Sequence, residues 1–197
     1  MADVQGLKMR IPGLGGEILR RAGGTPVTTP ASEVFTALES GLIDATEWVG
    51  PYNDLAFGLH QVAHFYYAPG WQEPGPPLEL LVNAEAWASL PEDLRAVLEA
   101  AARSLNDTML AEYTARSPAA LRRLVDVHDV ALRPFPPEIL AALRRESDAV
   151  VDALGTSSPL AGRIHASYRG FQAAVTAWHA VSEQAYLDAR ERTAPPR

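Results

Sequence analysis

The first fifty residues alternate short apolar runs with short amphipathic runs, and this alternation constrains the fold more than any other feature of the chain. It predicts strands at 7–11, 26–28 and 42–48, with helices at 17–22 and 32–40 between them. Strands that alternate with helices favour an α/β fold over a helical bundle. A hydrophobic content of 47% in 197 residues is sufficient for a sizeable core.

From residue 83 onward the composition changes to Ala, Leu, Arg and Glu. We therefore expect an α/β part with crossover strands at 1–82, followed by a helical region with one strand at 83–197. Within the first part, apolar spacing predicts a helix at 53–66, and a mainly apolar run predicts a strand at 78–82.

The helical region opens at the capping-box sequence Ser89-Leu90-Pro91-Glu92, which predicts a long helix. A strand at 130–135 and helices at 137–154 and 160–190 complete it. The last helix carries apolar residues at near-heptad spacing, which suits either packing on its own domain or a dimer interface with a second subunit. These residues are Ile164, Tyr168, Phe171, Val175, Trp178 and Ala185.

The charge balance and the lack of cysteine exclude several classes of function. The formal net charge of -7 is spread without long runs, which disfavours nucleic acid as a partner. Without cysteine, the chain has no disulfides, thiol catalysis or Cys-type zinc sites. We expect no signal peptide in this chain, because its start lacks a basic segment and an apolar core. No apolar run approaches the roughly 18 residues that span a bilayer.

Arg10 stands at the end of the first predicted strand, directly before a glycine-rich turn. The turn, Gly13-Leu14-Gly15-Gly16, contains part of a dinucleotide fingerprint, but Ile18 occupies the position of the third glycine. A helix N-terminus still offers N–H groups to an anion, and a guanidinium can hold a carboxylate by two parallel hydrogen bonds. The position predicts either a carboxylate clamp or an exposed arginine that flanks a strand.

His60 and His64 fall at i and i+4 of the helix predicted at 53–66, which is the spacing of zinc peptidases. Gln61 stands where those enzymes have a glutamate, so the general base that activates the zinc-bound water is missing. A peptidase is therefore disfavoured, and we interpret the pair as surface histidines.

Glu47 and Trp48 end a predicted strand, and Glu73 lies in a loop bracketed by Pro-Gly pairs. Hard cations prefer carboxylate and carbonyl oxygens, so the two segments together could hold Na⁺ or Ca²⁺. Two alternatives stay open. The same glutamates could act as the acid and nucleophile of a hydrolase, or they could be solvated loop acids.

Five sequence blocks follow one another in the first part of the chain. They are Gly6-Leu7-Lys8-Met9-Arg10-Ile11-Pro12, Gly23-Gly24-Thr25-Pro26-Val27, the stretch 33–48, Pro51-Tyr52-Asn53-Asp54-Leu55 and Tyr66-Tyr67-Ala68-Pro69-Gly70-Trp71. The first three resemble the solute receptors of tripartite ATP-independent periplasmic (TRAP) transporters. The last two are similar to the branch that binds 2-oxo acids, lactate or related monocarboxylates.

The resemblance implies a receptor that binds a small monocarboxylate without turnover and without a catalytic cofactor. Arg10 would bind the substrate carboxylate, and Trp48 would face the substrate. The carboxylates of Glu47 and Glu73, with the backbone carbonyl of Trp48, would hold a bridging Na⁺ or Ca²⁺.

The resemblance also implies a fold and a setting. Such receptors are two-lobed, periplasmic-binding-protein-like clamshells with long C-terminal helices, and this chain resembles their C-terminal portion. We therefore expect most of the first lobe to be absent from this chain. A glutamine of that lobe, which would help to hold the cation, would be absent with it. The parent protein would be periplasmic and would deliver its solute to TRAP membrane permease subunits. Residues 160–190 would form a homodimer, and a helical interaction module is a third hypothesis.

Overall fold

The computed structural model describes residues 1–73, 75 and 78–193. The chain divides into two compact units, Met1–Leu143 and Arg144–Arg197. Each unit is described by itself below.

A three-stranded parallel sheet forms the start of the first unit. Its strands are β1 (Lys8–Arg10), β2 (Thr25–Val27) and β3 (Ala45–Thr46), in the order β2-β1-β3. The helices α1 (Gly13–Arg21) and α2 (Val34–Glu39) lie between them in sequence. The predicted alternation of strands and helices is therefore confirmed. Apolar side chains of these segments are buried, namely Ile11, Ile18, Leu19, Val34, Ala37 and Ile43.

Two boundaries in this region differ from the prediction. The strand predicted at 42–48 is reduced to β3: Leu42 is 63% exposed and precedes the strand, while Glu47 and Trp48 follow it. Helix α1 begins at Gly13, earlier than the predicted 17–22, and so includes the glycine-rich turn.

The packing around Gly16 shows why a glycine is needed in the first turn of α1. A Cβ at this position would lie 2.8 Å from the carbonyl oxygen of Ile11 and 3.3 Å from the Cβ of Pro26. The first turn of the helix therefore lies directly against β2 and the residue that follows β1, and a larger residue would push it away. Close helix-to-strand packing accounts for this glycine without a nucleotide.

The helix predicted at 53–66 is wrong. The structure has α3 (Pro51–Ala56), a short 3-10 helix (Leu59–Gln61) and then the strand β4 (Phe65–Ala68). Gly58 adopts a left-handed conformation with φ +72°, which ends the helical run after α3. The apolar spacing of this segment fitted one long helix, but the break divides it into three elements.

Strand β4 pairs in parallel with β5 (Ala131–Pro134), and β5 confirms the strand predicted at 130–135. The strand predicted at 78–82 is wrong. Its side chains are exposed, including Leu81 at 80%, and no neighbouring strand pairs with these residues within the part of the chain that is described. A strand needs a partner for its backbone N–H and C=O groups, and the described residues do not supply one to this run.

Helix α4 begins directly after the change of composition at residue 83. Asn83 caps α4 (Ala84–Ser89) by accepting hydrogen bonds from the backbone N–H groups of Glu85 and Ala86 at 3.0 Å. Helix α5 (Glu92–Asp126) is the predicted long helix and is 35 residues long.

Helix α3 packs against α5 through Tyr52. The Tyr52 hydroxyl donates to Glu112 at 3.2 Å, and its ring meets the edge of Tyr113 at 5.6 Å. Helix α6 (Pro137–Gly155) agrees with the predicted 137–154.

The second unit consists of helices. It contains the C-terminal part of α6, then α7 (Pro159–Val181) and α8 (Glu183–Thr193). Arg169 joins α7 to α6 by ion pairs to Asp148 at 3.2 Å and Asp152 at 2.6 Å. The single helix predicted at 160–190 is interrupted at Ser182, which has a non-helical ψ of -107°.

The apolar stripe of α7 is exposed to solvent in this chain: Ile164 is 61%, Phe171 71% and Trp178 65% exposed. A dimerisation role for residues 160–190 stays a prediction. Within the described residues, no helix combines the length and the apolar character that a membrane crossing requires.

Candidate functional site

The carboxyl ends of β1 and β3 bring two of the predicted site residues together. Arg10 is the last residue of β1 and pairs in register with Thr46, so Glu47 follows at the same edge of the sheet. The backbone N–H of Glu47 donates to the carbonyl oxygen of Arg10 at 3.2 Å. In open α/β sheets, ligands bind outside the carboxyl ends of the strands, and both residues lie there.

The side chains of Arg10 and Glu47 form an ion pair. Nη1 of Arg10 lies 2.5 Å from Oε1 of Glu47, and the two side chains are 15% and 12% exposed. Nε of Arg10 also donates to the carbonyl oxygen of Thr29 at 3.4 Å. Arg10 is therefore a largely buried and well-oriented guanidinium, and the prediction of an exposed strand-flanking arginine is wrong.

Trp48 lies beside this pair. The guanidinium carbon of Arg10 is 5.2 Å from the centre of the Trp48 ring, and Phe57 contacts the same indole at 5.0 Å between centroids. The indole Nε1–H of Trp48 is buried and donates no hydrogen bond within the described residues. A buried donor without a partner is uncommon in proteins, so a group that accepts this hydrogen bond is expected at the site.

The negative charge of Glu73 influences the Glu47 carboxyl. Burial raises the pKa of the Glu47 carboxyl, Arg10 lowers it, and the charges of Glu73 and Asp54 raise it further. Glu73 itself is exposed, in the loop after β4. The structure thus brings Arg10, Glu47 and Trp48 together, whereas the described residues show an electrostatic effect of Glu73 on Glu47 and no direct contact.

The carboxylate oxygens at this edge of the sheet are partly suited to a hard cation. The repulsion between Glu47 and Glu73 is of the kind that a bound cation relieves. Na⁺ and Ca²⁺ take oxygen ligands, with six to eight around Ca²⁺. Within the described residues, however, no group of three or more His, Cys, Asp or Glu side chains could enclose a metal ion. Glu47 and Glu73 would supply part of a coordination shell, and a cation here would need further oxygens from elsewhere.

Asp54 and Tyr66 are the residues of this region that the sequence did not reveal. Asp54 is buried, with 7% exposed, and its Oδ2 accepts a hydrogen bond from the Tyr66 hydroxyl at 2.5 Å. Its Oδ1 accepts from the backbone N–H of Gly50 at 3.3 Å. Burial raises the pKa of Asp54, and burial together with the neighbouring carboxylate raises the pKa of Tyr66. The one signal in the sequence was an acidic residue in the first turn of a helix that begins at a proline.

Comparison with known proteins places this geometry in a family. The model of the bacterial extracellular solute-binding proteins, family 7, matches residues 1–157. The chain belongs to this family.

Relatives of this family 7 chain bind small carboxylates. The monocarboxylate 2-oxoacid-binding periplasmic protein of Nostoc sp. is 39% identical over 186 residues, which are 94% of this chain and 51% of that protein. A TRAP periplasmic solute-binding protein from Colwellia psychrerythraea, solved with bound calcium and pyruvate, is 38% identical with a TM-score of 0.89. The match covers 95% of this chain and 57% of that one.

Two further solved structures extend the comparison. A TRAP periplasmic solute-binding protein from Pseudoalteromonas atlantica, with bound sodium and pyruvate, has 37% identity and a TM-score of 0.88 over 95% of this chain and 57% of its own. A TRAP transporter solute-binding protein from Bordetella bronchiseptica is 36% identical, with a TM-score of 0.88 over 97% of this chain and 56% of its own. The latter is described as a mixed-occupancy dimer with copurified calcium and picolinate at its active site.

These matches confirm the predicted fold class, the C-terminal portion of a TRAP solute-receptor clamshell with long helices. The chain spans about half the length of the curated relatives that it matches. The family and these relatives are solute-binding proteins of transport systems, which favours the receptor over the hydrolase built on Glu47 and Glu73.

His60 and His64, which have the spacing of zinc-peptidase ligands, do not form a zinc site among the described residues of this chain. The 3-10 helix ends at Gln61, so the two imidazoles do not share an α-helical face. The ring of His60 instead stacks on that of His128 with 3.9 Å between centroids and a 37° tilt. His64 is exposed, as the surface interpretation requires, whereas His60 is half-buried and its Nδ1 has no hydrogen-bond partner among the described residues.

Proposed function

We propose that this chain binds a small monocarboxylate, a 2-oxo acid or a lactate-like acid, together with a bridging Na⁺ or Ca²⁺. The observation that carries the proposal is the cluster of Arg10, Glu47 and Trp48 at the carboxyl ends of β1 and β3. It joins a buried guanidinium, a carboxylate and an indole N–H at the edge of the sheet where ligands bind. The relatives with bound pyruvate support the same class of ligand.

Arg10 has hydrogen-bond donors left for a substrate. Nη1 is used by Glu47 and Nε by the Thr29 carbonyl, whereas Nη2 donates to none of the described residues. A substrate carboxylate would accept from this remaining edge of the guanidinium, and the buried Nε1–H of Trp48 is a second donor. The Glu47 partner keeps the guanidinium in place, so little side-chain entropy is lost on binding.

The cation would lie on the acidic side of the same cluster. The carboxylates of Glu47 and Glu73 and the backbone carbonyl of Trp48 would supply oxygens to it. A bound cation reduces the repulsion between the glutamates and offers a coordination position to the oxygen next to the substrate carboxylate. Arg10 and the cation would thus hold adjacent oxygens of one small acid.

Calorimetric titration tests this proposal. Pyruvate and lactate are titrated into the chain in the presence of Ca²⁺, Na⁺ or chelator, and the Arg10→Ala variant should lose binding. Arg20→Ala is the matched control, since Arg20 is exposed and, among the described residues, forms its ion pair with Glu17. Because the chain spans half of its relatives, the titration is repeated on a chimera with the remaining part of the Nostoc protein. Unchanged affinity in Arg10→Ala would contradict the carboxylate clamp.

We further propose that the parent protein acts in the periplasm and delivers its solute to TRAP membrane permease subunits. Membership of an extracellular solute-binding family and a relative named as periplasmic support this setting. Solute uptake into proteoliposomes that carry the TRAP permease tests the partnership. Uptake should require the chimera, and uptake that is equal without it would contradict the role.

We also propose that residues 160–190 form a homodimer interface. The exposed aromatic residues Phe171 and Trp178 on α7 support it, as does the dimer described for the Bordetella relative. Sedimentation equilibrium should show a dimer that Phe171→Glu dissociates. Val97→Glu, on exposed α5, is the control that should leave the dimer intact. A chain that is monomeric at high micromolar concentration would contradict the interface.

A further inference from the structure

Asp54 ties together the two segments that carry the candidate cation ligands. Its Oδ1 accepts from the backbone N–H of Gly50, two residues after Trp48. Its Oδ2 accepts from the hydroxyl of Tyr66, which lies in β4. One buried carboxylate therefore spans the loop after β3 and the strand that leads to the Glu73 loop.

The backbone conformation at Gly50 allows its N–H to reach Asp54. Gly50 has φ +150° and ψ 177°, which side-chain-bearing residues rarely adopt. This conformation turns the chain from Trp48 into α3, while the N–H of Asp54 returns a hydrogen bond to the Gly50 carbonyl at 2.9 Å. Two hydrogen bonds between Gly50 and Asp54 thus fix the direction in which the loop leaves Trp48.

The contact with Tyr66 fixes the second segment. Tyr66 pairs in register with Leu132 of β5, so its backbone is held by the sheet. The hydrogen bond from the Tyr66 hydroxyl holds Asp54 in a fixed position relative to β4. Asp54 in turn holds the loop that follows Trp48. A hydrogen bond to a charged, buried acceptor is stronger than a neutral one, so the link is stiff.

We propose that Asp54 and Tyr66 are positioning residues, which set the placement of Glu47 and Trp48 relative to the Glu73 loop. Neither residue contacts the substrate or the cation in this scheme. They act by fixing the geometry of the hydrogen bonds around Trp48. The expected effect on cation affinity rests on the proposed function, whereas the effect on the position of Trp48 does not. Removing the link should weaken cation binding about tenfold, the size of effect that follows the loss of one hydrogen bond to a charged group.

The test separates geometry from charge. Asp54→Asn keeps an acceptor for Gly50 and places an amide donor where the Tyr66 oxygen can accept, so Ca²⁺ affinity should stay within about threefold of the wild type. Asp54→Ala and Tyr66→Phe should each lose about tenfold, and the double variant should lose no more than Asp54→Ala alone. Equal losses in Asp54→Asn and Asp54→Ala would overturn positioning in favour of a simple charge effect. Tyr67→Phe is the matched control in the same strand, where the Tyr67 ring contacts Phe135 instead.

A second readout does not depend on ligand binding. In chain labelled with 5-fluorotryptophan, the fluorine NMR resonance of Trp48 reports its surroundings directly, and titration with Ca²⁺ and pyruvate follows weak binding. The resonance should shift in Asp54→Ala and Tyr66→Phe and should stay in place in Tyr67→Phe. If wild-type chain binds neither ion nor acid, the proposed function fails, while this resonance still decides the positioning. An unchanged Trp48 resonance in both variants would overturn it.

Discussion

Arg10 and Glu47 form an ion pair, with Nη1 and Oε1 2.5 Å apart and less than a sixth of either side chain exposed. The sequence assigned these residues to different ligands, the arginine to a carboxylate and the glutamate to a cation. In the structure they are one unit, because register between β1 and β3 places them at adjacent strand ends. A change at either residue therefore alters the surroundings of the other.

Arg10→Ala should destabilise the chain even without ligand. The variant leaves Glu47 largely buried without its cationic partner, which should cost about 2 kcal/mol of unfolding free energy. The urea midpoint measures this loss. The control Arg20→Ala, at a pair with 62% of the arginine side chain exposed, should change by less than about 0.5 kcal/mol. Arg10→Ala combined with Glu47→Ala should cost less than the two single changes added together, and strict additivity would contradict coupling.

Gly16→Ala should destabilise the first unit. The added Cβ would lie 2.8 Å from the carbonyl oxygen of Ile11, a backbone atom that cannot rotate away, so α1 must shift at a cost of about 2 kcal/mol. Gly170→Ala is the matched control within helix α7. It meets nothing within 4 Å and should stabilise its helix by about 0.5–1 kcal/mol. Thermal unfolding of both variants measures the contrast, and a neutral Gly16→Ala would contradict the close packing.

These two cases show which parts of the fold are predictable from local sequence. The strands around Arg10 and Val27 are short apolar runs bounded by turn residues, so the pattern is sufficient to place them. The place of Arg10 at the end of β1 also follows from this pattern, whereas its burial does not. The spacing did not predict the ion-pair partner of Arg10, because the pairing with Glu47 depends on the order of strands in the sheet.

The elements that sequence reasoning missed all depend on distant contacts. Phe65 to Ala68 form a strand only because β5 pairs with them, and their local spacing fits a helix equally well. The contacts of Asp54 with Tyr66 and of His60 with His128 likewise join residues from different elements. No periodicity within one element encodes such a contact.

The stacked histidines predict a pH dependence of stability. Burial lowers the pKa of His60 from its ordinary 6.5, and the neighbouring His128 and Arg123 lower it further. The unfolded chain therefore binds a proton at a pH where the folded chain does not. Stability from this residue is present above about pH 6.5 and is lost as pH falls below that value.

Urea unfolding at pH 7.5 and pH 5.5 checks this expectation. Wild-type chain should lose stability between the two values, and His60→Phe, which keeps a ring against His128 but cannot take up a proton, should lose less. His179→Gln is the control, since His179 is half exposed and paired with Glu183 in another part of the chain. Equal pH dependence in wild type and His60→Phe would show that other groups account for the loss.

Glu73→Gln should separate cation binding from folding. Glu73 is exposed and makes its interaction with Glu47 through charge, so its neutralisation should leave the melting temperature in chelator unchanged or slightly raised. In Ca²⁺ and pyruvate, ligand binding stabilises the folded state according to its affinity, and the variant should lose most of that rise because one cation ligand is gone. Glu79→Gln, an exposed glutamate further along the chain, should keep the full rise. An equal rise in all three proteins would remove Glu73 from the cation site and leave Glu47 as its acidic ligand.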